Sequence, residues 1–349
     1  MKRREFICAG IVLAAASLLT GASKTLHVEV WYGRRQRVGH LGSAQDDFNV
    51  LGHVYAANPI ASVTCSVNGG VPKLLEFRIL RRIVRYGDFN ADIPVASLHF
   101  GDNDVMIQAT DSTGRTTSTQ VNVTRSMVGA YPLPAKISWG SVSNLQDVGQ
   151  CVDGRWVSGP DGLRSSEAGY DRIFLIGDRT WKDYEATASI TIHGFSKKNG
   201  AESGVGHCAG FCMRWAGHST EDNAPGDQPK WGLYPRGGVT WLVWRTRDGL
   251  MSPFRNFLHG ESEDDRDFAP FPVQLGRSFW MKGRCETLDG DGVTGYSFKV
   301  WNKSAQEPSE WDYRVTQKSN YALRSGGLAL VAHEIDATFG DLVISDLTV

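Results

Sequence analysis

The sequence has almost no net charge, since 37 lysine and arginine residues are balanced by 38 aspartate and glutamate residues. Outside the N-terminus, basic residues cluster only in two short patches, residues 34–37 and 78–85. Nucleic acid is therefore not expected as a partner, because affinity for it comes mainly from neutralised phosphates. Helical periodicity is also missing, whereas glycine and tryptophan are frequent, with 39 and 11 residues. This composition favours sheets joined by many turns.

Long apolar runs are missing after the first twenty residues. Basic residues at the start precede an apolar run, Phe6–Leu19, and the small residues Thr20–Ala22. This layout is typical of a secretory signal peptide, residues 1–22, and the run is shorter than the about 20 residues that span a bilayer. We expect a secreted, periplasmic or cell-surface protein without a transmembrane segment after cleavage; the alternative is an uncleaved anchor. The pair Arg3–Arg4 leaves the Sec and twin-arginine export routes open.

Cysteine is scarce, and its number is odd once the predicted signal is removed. The remaining residues are Cys65, Cys151, Cys208, Cys212 and Cys285. Cys208 and Cys212 would lie about 13 Å apart on an extended strand, whereas a disulfide needs Cα atoms within about 7 Å. With His207 alone beside them they also lack the second ligand pair of a zinc site. We therefore predict buried thiols.

A first domain is expected over residues 24–126. Strands are predicted at Phe48–Val54 and Ile60–Val67, and the latter is followed by an Asn-Gly-Gly turn. A hairpin is predicted in which Val105, Ile107 and Ala109 alternate with polar residues before the turn at 111–114. The order S-V-N-G-G, D-I-P-V and G-D-N-D-V-x-I-x-A-T-D-S-T-G resembles bacterial immunoglobulin-like domains. The resemblance implies a seven-strand sandwich that serves as a spacer or docking module.

A linker is predicted at residues 127–134, where Gly129, Pro132 and Pro134 interrupt any strand. The second domain would then cover residues 135–349. Its predicted strands are Tyr184–Ile192, Gly210–Trp215, Val239–Arg245, Ser278–Glu286, Gly295–Trp301, Gly327–His333 and Thr338–Val349. The fold class predicted for the whole chain is therefore all-β.

The second domain resembles the concanavalin A-like lectin/glucanase jelly roll in its laminin-G-like bacterial form, over residues 150–349. The segments that carry the resemblance are W-K-D-Y-E-A-T-A-S-I-T-I, G-H-C-A-G-F-C-M-R-W, R-S-F-W-M-K-G-R-C-E-T, Y-S-F-K-V-W and G-G-L-A-L-V-A-H-E-I-D-A-T-F-G-D-L-V-I-S-D-L. The resemblance implies a β-sandwich. It does not fix an activity, because this fold carries lectins, hydrolases, lyases and adhesion modules.

Candidate ligand-binding residues lie around the strand that ends in Arg214 and Trp215. They are Arg214, His218, Gln228, Trp231, Tyr234 and Trp244. The resemblance places this strand on the concave sheet, where the planar fork of Arg214 would hold a sugar hydroxyl or a uronate carboxylate. Trp231 and Tyr234 suit stacking on a sugar ring. The alternative is that Trp215 and Trp231 are core residues and that Arg214 pairs with an internal carboxylate.

Two further patterns are predicted to be structural. Trp241 and Trp301 are expected in the core, and Trp244 falls on the opposite face of its strand. The sequence His333-Glu334-Ile335-Asp336 echoes the E-[ILV]-D-x-x-E signature of family 16 glucanases. It lacks the final carboxylate, because Phe339 and Gly340 follow Thr338. We interpret it as a closing loop.

No cofactor is required by any pattern, although calcium is possible. Asp289 and Asp291 in one turn, and the acidic run 261–265, offer oxygen ligands, yet neither follows an EF-hand pattern. An Asp-Gly pair between strands is also an ordinary turn signal.

Three functional hypotheses remain open. The first is an exported protein that binds a polysaccharide or cell-surface glycan through a lectin-like sandwich on an immunoglobulin-like spacer. The second is a polysaccharide-degrading enzyme in the same groove, either a lyase that uses Arg214, His218 and Tyr234 or a hydrolase. A retaining hydrolase needs two carboxylates about 5 Å apart, and no convincing pair is found. The third is a structural protein of the envelope or matrix.

Overall fold

A computed structural model describes most of the chain. The described residues are 26–127, 129–196, 206–219, 223, 228–234, 236–247, 250–260, 263–267, 271–289, 293–317 and 323–348. The predicted signal peptide lies outside them. No helix among these residues has the length and apolar character needed to cross a membrane.

The N-terminal part is a sandwich of two sheets. Its strands are β1 His27–Val30, β2 Arg35–Val38, β3 Asp47–Tyr55, β4 Ile60–Val67, β5 Lys73–Leu74, β6 Asp88–Pro94, β7 Gly101–Asp111 and β8 Thr116–Arg125. One sheet has the order β1-β3-β6 and the other the order β2-β8-β7-β4-β5. A 3-10 turn, Val95–Ser97, follows β6.

The predicted hairpin of this sandwich is confirmed. β7 and β8 pair antiparallel from Gly101 opposite Arg125 to Thr110 opposite Thr116. Val105, Ile107 and Ala109 are fully buried in the first core, as the alternation along β7 requires.

The C-terminal part is a larger sandwich. Its strands are β9 Ala135–Ile137, β10 Gln150–Asp153, β11 Trp156–Gly159, β12 Gly162–Ser165, β13 Arg172–Ile176, β14 Tyr184–Phe195, β15 His207–Trp215, β16 Arg236–Arg247, β17 Leu250–Gly260, β18 Glu263–Asp267, β19 Ser278–Asp289, β20 Val293–Asn302, β21 Tyr313–Gln317, β22 Gly327–His333, β23 Ile335–Phe339 and β24 Leu342–Asp346. Two 3-10 turns, Trp139–Ser141 and Leu145–Asp147, precede β10.

Two antiparallel sheets form this second sandwich. One has the order β10-β13-β22-β15-β16-β17-β18, and we call it the front sheet. The other, the back sheet, has the order β11-β12-β23-β14-β19-β20-β21, with β24 on β14 and β9 on β24. The inter-sheet core contains Phe211 and Met213, whereas Cys212 and Trp241 belong to a separate apolar cluster. Strands β15 and β22 are thus buried on both faces, which explains their nearly continuous apolar sequence.

The prediction of an all-β chain is confirmed. The immunoglobulin-like class of the first sandwich and the domain boundaries at 24–126, 127–134 and 135–349 stay predictions. The five described cysteines are buried and none of them forms a disulfide, so the prediction that Cys208 and Cys212 do not pair is confirmed.

The segment 333–336 is not the predicted closing loop. His333 ends β22 in the front sheet and Ile335 begins β23 in the back sheet, so Glu334 alone links them. Glu334 has a left-handed backbone, with φ of 54°. This conformation turns the chain from one sheet to the other within a single residue.

Buried polar contacts join the two sandwiches. Arg82 of the first sandwich pairs with Asp153 of the second and, at 3.4 Å, with Asp92. Its Nη2 also donates to the carbonyl of Val152 at 2.9 Å. Lys230 of the second sandwich pairs with Asp47 of the first at 2.6 Å. Buried charges persist only when they are paired in this way, so the junction fixes the two sandwiches against each other.

Candidate functional site

Arg214 does not lie beside an open groove on the front sheet. The register of β15 shifts between Met213 and Trp215, and Arg214 has a left-handed φ of 53°. A bulge of this kind places two successive residues on the same side of the sheet. Trp215 consequently joins Cys212 in the separate apolar cluster, and the regular alternation of an extended strand ends at Met213.

The guanidinium of Arg214 is held entirely by protein groups. It is 0% exposed and pairs with Asp183 at 2.8 Å. It also donates to the hydroxyl of Thr294 at 2.8 Å and to that of Thr287 at 3.0 Å. This environment matches the alternative considered from the sequence, in which Arg214 pairs with an internal carboxylate.

His218 lies apart from the contacts of Arg214. Its Nδ1 donates to the carbonyl oxygen of Gly232 at 2.5 Å, and its buried Nε2 has no hydrogen-bond partner in the described part of the chain. Burial, and then the nearby charge of Arg82, hold the pKa of His218 well below its usual value. Tyr234 is half-buried in the segment after Gly232. The described contacts of Arg214 and His218 have no residue in common, and the lyase group of Arg214, His218 and Tyr234 stays a prediction.

Trp244 and Gln228 have structural surroundings. Trp244 is 3% exposed and packs in the inter-sheet core, with its ring 5.9 Å from that of Phe195. The Gln228 side chain donates to the carbonyl of Asp92 at 3.1 Å and accepts from its N–H at 3.0 Å. Gln228 therefore ties the second sandwich to β6 of the first.

Trp231 is the sequence-predicted residue that lies at an accessible cleft with an aromatic face. It is half-buried, and the guanidinium carbon of Arg81 lies 3.4 Å from the centre of its ring. A cleft of about 450 Å³ opens between the two sandwiches at this point. The residues that line this junction cleft are Ala61, Ser62, Leu74, Leu75, Glu76, Phe77, Arg78, Leu80, Arg81, Arg82, Gln228, Pro229 and Trp231.

A two-residue turn of the first sandwich presents the arginines to the cleft. Leu80 and Ile83 exchange backbone hydrogen bonds of 3.1 and 2.9 Å, which leaves Arg81 and Arg82 at the tip. Arg81 has a left-handed φ of 47°, a conformation that costs a non-glycine residue about 1 kcal/mol. Arg82 is buried in the junction and Arg81 is exposed beside Trp231. One turn thus anchors the two sandwiches and supplies a cation to the cleft.

The first sandwich also supplies a carboxylate to the cleft. Glu76 accepts two hydrogen bonds of 2.8 Å from the guanidinium of Arg78. These bonds lower the pKa of Glu76, so it is ionised at neutral pH. An aromatic face, guanidinium donors and a carboxylate acceptor in one cleft are the groups that hold a sugar ring and its hydroxyls.

A second polar cluster lies at the end of β22 in the front sheet, and its histidine belongs to the segment 333–336 that was interpreted as a closing loop. His333 Nδ1 lies 2.7 Å from a carboxylate oxygen of Asp171, and its buried Nε2 has no hydrogen-bond partner among the described residues. The ring of Tyr170 lies 5.0 Å from the imidazole. Burial and the charge of Asp171 raise the pKa of Tyr170, and the charge of Arg81 lowers it, so Arg81 is close to this tyrosine.

Sequence separation explains why these contacts were missed. Asp171 and His333 are 162 residues apart, and Arg81 and Trp231 belong to different sandwiches. No spacing rule joins such positions. The one available signal was the basic patch at residues 78–85.

The predicted calcium ligands are not tested. Asp291 and residues 261 and 262 lie outside the described residues, as does the side chain of Asp289. Within the described part of the chain, no group of three or more His, Cys, Asp or Glu residues could hold a metal ion.

Comparisons with known proteins give only distant structural similarity. No protein-family model and no curated protein sequence matches the chain. The exoplasmic/lumenal domain of VIP36, bound to Ca²⁺ and Man2, is 14% identical with a TM-score of 0.35, over 56% of this chain and 80% of that one. A xylan β-1,4-xylosidase from Bacillus halodurans C-125 is 12% identical with a TM-score of 0.38, over 93% and 66%. Domain 4 of AbnA, an arabinanase from Geobacillus stearothermophilus, is 10% identical with a TM-score of 0.27, over 55% and 74%. These values are too low to carry a functional argument.

Proposed function

We propose that this chain is an exported glycan-binding protein and that the junction cleft is its sugar site. The observation that carries the proposal is the position of Trp231, which is half-buried in a cleft of about 450 Å³ with charged and polar walls and has the guanidinium of Arg81 over its ring. Ligand sites occur preferentially at such domain junctions, and tryptophan combines a large apolar face with a polar edge. The second sandwich would be a concanavalin A-like lectin module.

The first sandwich then has a larger role than that of a spacer. Glu76, Arg78 and Arg81 in the cleft wall belong to it, whereas Trp231 belongs to the second sandwich. The buried pair of Arg82 with Asp153 of the second sandwich holds the two walls at a fixed distance. A site that is already assembled binds with a smaller loss of conformational entropy than one that closes around its ligand.

The test measures binding of the purified mature chain to a panel of neutral and acidic polysaccharides by affinity electrophoresis and calorimetry. Trp231→Ala is expected to weaken binding at least tenfold, because the aromatic platform is lost. The matched control is Trp311→Ala, which removes another half-buried tryptophan that lies beside cationic side chains, Arg284 and Lys299. Its affinity is expected to equal that of the wild type. An equal loss of affinity in Trp231→Ala and Trp311→Ala, or no loss in either, would show that the junction cleft is not the sugar site.

A second candidate function is polysaccharide cleavage, and one observation favours it. A carboxylate that orients Nδ1 of a histidine while Nε2 has no partner is the arrangement of a general base. His333 and Asp171 have this arrangement, with Tyr170 beside them. The imidazole is only 2% exposed, so a substrate would need a rearrangement to reach it.

Cleavage is tested by following new reducing ends and absorbance near 235 nm with the same polysaccharides. Both signals together indicate a lyase, and reducing ends alone indicate a hydrolase. Either activity should be lost in His333→Gln if this pair is responsible. Binding without either signal supports the glycan-binding proposal and rejects the enzymatic one.

A further inference from the structure

We infer that the ligand of the junction cleft is an acidic glycan and that Arg81 binds the carboxylate of a uronic acid residue. This inference rests on the proposed function, because it names the class of sugar for the same site. Arg81, in the first sandwich, would then recognise the anion. Arg214 would not, because its guanidinium is buried and its hydrogen bonds are made to protein groups.

Arg81 differs from its cationic neighbours because they all have carboxylate partners. Arg82 pairs with Asp153 and Asp92, and Arg78 pairs with Glu76. Arg85 pairs with Glu167 at 2.9 Å. Among the described residues, Arg81 has no hydrogen bond or ion pair, although it is exposed at the cleft. The one uncompensated charge of this wall is therefore positive.

The position of Arg81 leaves its donors available. The guanidinium carbon lies 3.4 Å from the centre of the Trp231 ring, so one face of this cation is against the indole. A guanidinium donates hydrogen bonds in its own plane, so contact through a face does not use its N–H groups. Stacking also limits the rotation of a long side chain, which lowers the entropy lost when a ligand binds. The result is a pre-positioned fork that matches a carboxylate in a bidentate geometry.

The backbone at Arg81 supports a functional interpretation. The left-handed φ of 47° at the turn tip is a conformation for which glycine is preferred. A residue in a disfavoured conformation at a cleft points to a role for its side chain, because folding alone would be served better by glycine. The stacked position of Arg81 and its lack of a carboxylate partner identify that role as anion binding.

The sugar stacked near Trp231 would thus present its carboxylate to Arg81. The ionised Glu76, already held by Arg78, would accept hydrogen bonds from hydroxyl groups. A neutral sugar would leave the charge of Arg81 without a counterion. The cleft should therefore bind the charged form of a sugar more tightly than an uncharged form of the same sugar.

The experiment uses the full mature chain and three uronic acid polymers, polygalacturonate, alginate and glucuronan, each beside its fully methyl-esterified form. Dextran sulfate and dextran serve as a second anionic pair. Esterification removes the charge and leaves the sugar unchanged. The variants are Arg81→Gln, Arg81→Lys and, as a matched control, Arg284→Gln. Arg284 lies over Trp311 at 5.2 Å and is paired with Glu185, outside the cleft.

We expect the wild type to bind at least one uronic acid polymer ten times or more tighter than its ester. Arg81→Gln should bind the acid about tenfold more weakly than the wild type does, and its affinity for the ester should be unchanged. The affinity of Arg81→Lys for the acid should lie between those of the wild type and Arg81→Gln, because lysine keeps the charge and lacks the planar guanidinium. Arg284→Gln should behave as the wild type.

Equal affinity for acid and ester, or an unchanged ratio in Arg81→Gln, would overturn the inference. The proposed function would survive that result if Trp231→Ala still weakened binding to the ester. A preference for dextran sulfate over every uronic acid polymer, lost in Arg81→Gln, would overturn the uronate assignment in favour of sulfate. Absence of binding to every polymer would overturn both the inference and the proposed function.

Discussion

Arg214 and Arg81 occupy opposite kinds of environment, although both have left-handed backbones and both are close to candidate site segments. Arg214 is fully buried and pairs with Asp183 and two threonine hydroxyls. Arg81 is exposed, stacked on Trp231 and without a hydrogen-bond partner in the described part of the chain. The first arrangement stabilises the sandwich, and the second leaves donors for a ligand. Whether an arginine can bind a ligand therefore depends on how many of its hydrogen-bond donors are already paired with groups of the protein.

The largest effect that separates the two arginines is on stability. Arg214→Ala should lower the free energy of unfolding by about 3 kcal/mol, because it removes the buried guanidinium that donates to Asp183, Thr287 and Thr294. Urea denaturation measures this change. The control is Arg314→Ala, an exposed residue of β21, with an expected change within about 0.5 kcal/mol. A similar small change for Arg214→Ala would show that its buried contacts are not structural.

An intermediate effect concerns pH and the cations of the junction. Burial and the charges of Arg82 and Lys230 keep His218 neutral in the folded protein, with a pKa well below the unfolded value of about 6.5. The unfolded state therefore takes up the proton first as the pH falls. The stabilisation is complete above about pH 6.5 and decreases below it by about 1 kcal/mol per pH unit.

The measurement is the free energy of unfolding at several pH values between 7 and 5. His218→Gln should reduce the slope in this range, whereas His99→Gln, which changes an exposed histidine, should keep it. An unchanged slope in His218→Gln would mean that its protonation is not opposed by the junction.

The smallest effect concerns the backbone of Arg81. Arg81→Gly and Arg81→Gln both remove the stacked cation, but only glycine accepts a φ of 47° without a steric cost. Arg81→Gly should therefore be more stable than Arg81→Gln by about 1 kcal/mol. Thermal or urea unfolding of the two variants side by side measures the difference. Equal stability of Arg81→Gly and Arg81→Gln would show that the backbone conformation at this position has no steric cost, and would contradict the argument that Arg81 is kept there because its side chain has a function.

Much of the fold follows from local sequence patterns. The alternation in β7 and β8 and the Asp-Ser-Thr-Gly turn between them predict the hairpin that is present. The strands around Ser278–Glu286 and Gly295–Trp301 pair as predicted. Such patterns succeed because a strand with one buried face must alternate with a period of two.

The site could be predicted only in part, and for identifiable reasons. Trp231 lines the junction cleft, whereas the prediction grouped it with the strand that ends in Arg214 and Trp215, and its part in ligand binding stays a prediction. The buried contacts of Arg214 follow from a bulge with a left-handed residue, which no local sequence pattern indicates. The contact between Arg81 and Trp231 depends on how two sandwiches dock, and no local pattern encodes that.

The most direct test of the account is a crystal structure of the chain with a bound uronic acid oligosaccharide, such as trigalacturonate, alginate trisaccharide or triglucuronate. We predict a sugar ring against Trp231 with its carboxylate within hydrogen-bond distance of Arg81. A sugar bound elsewhere, for example beside His333 and Trp241 or on the back sheet at Trp280, with the junction cleft empty, would contradict the central claim.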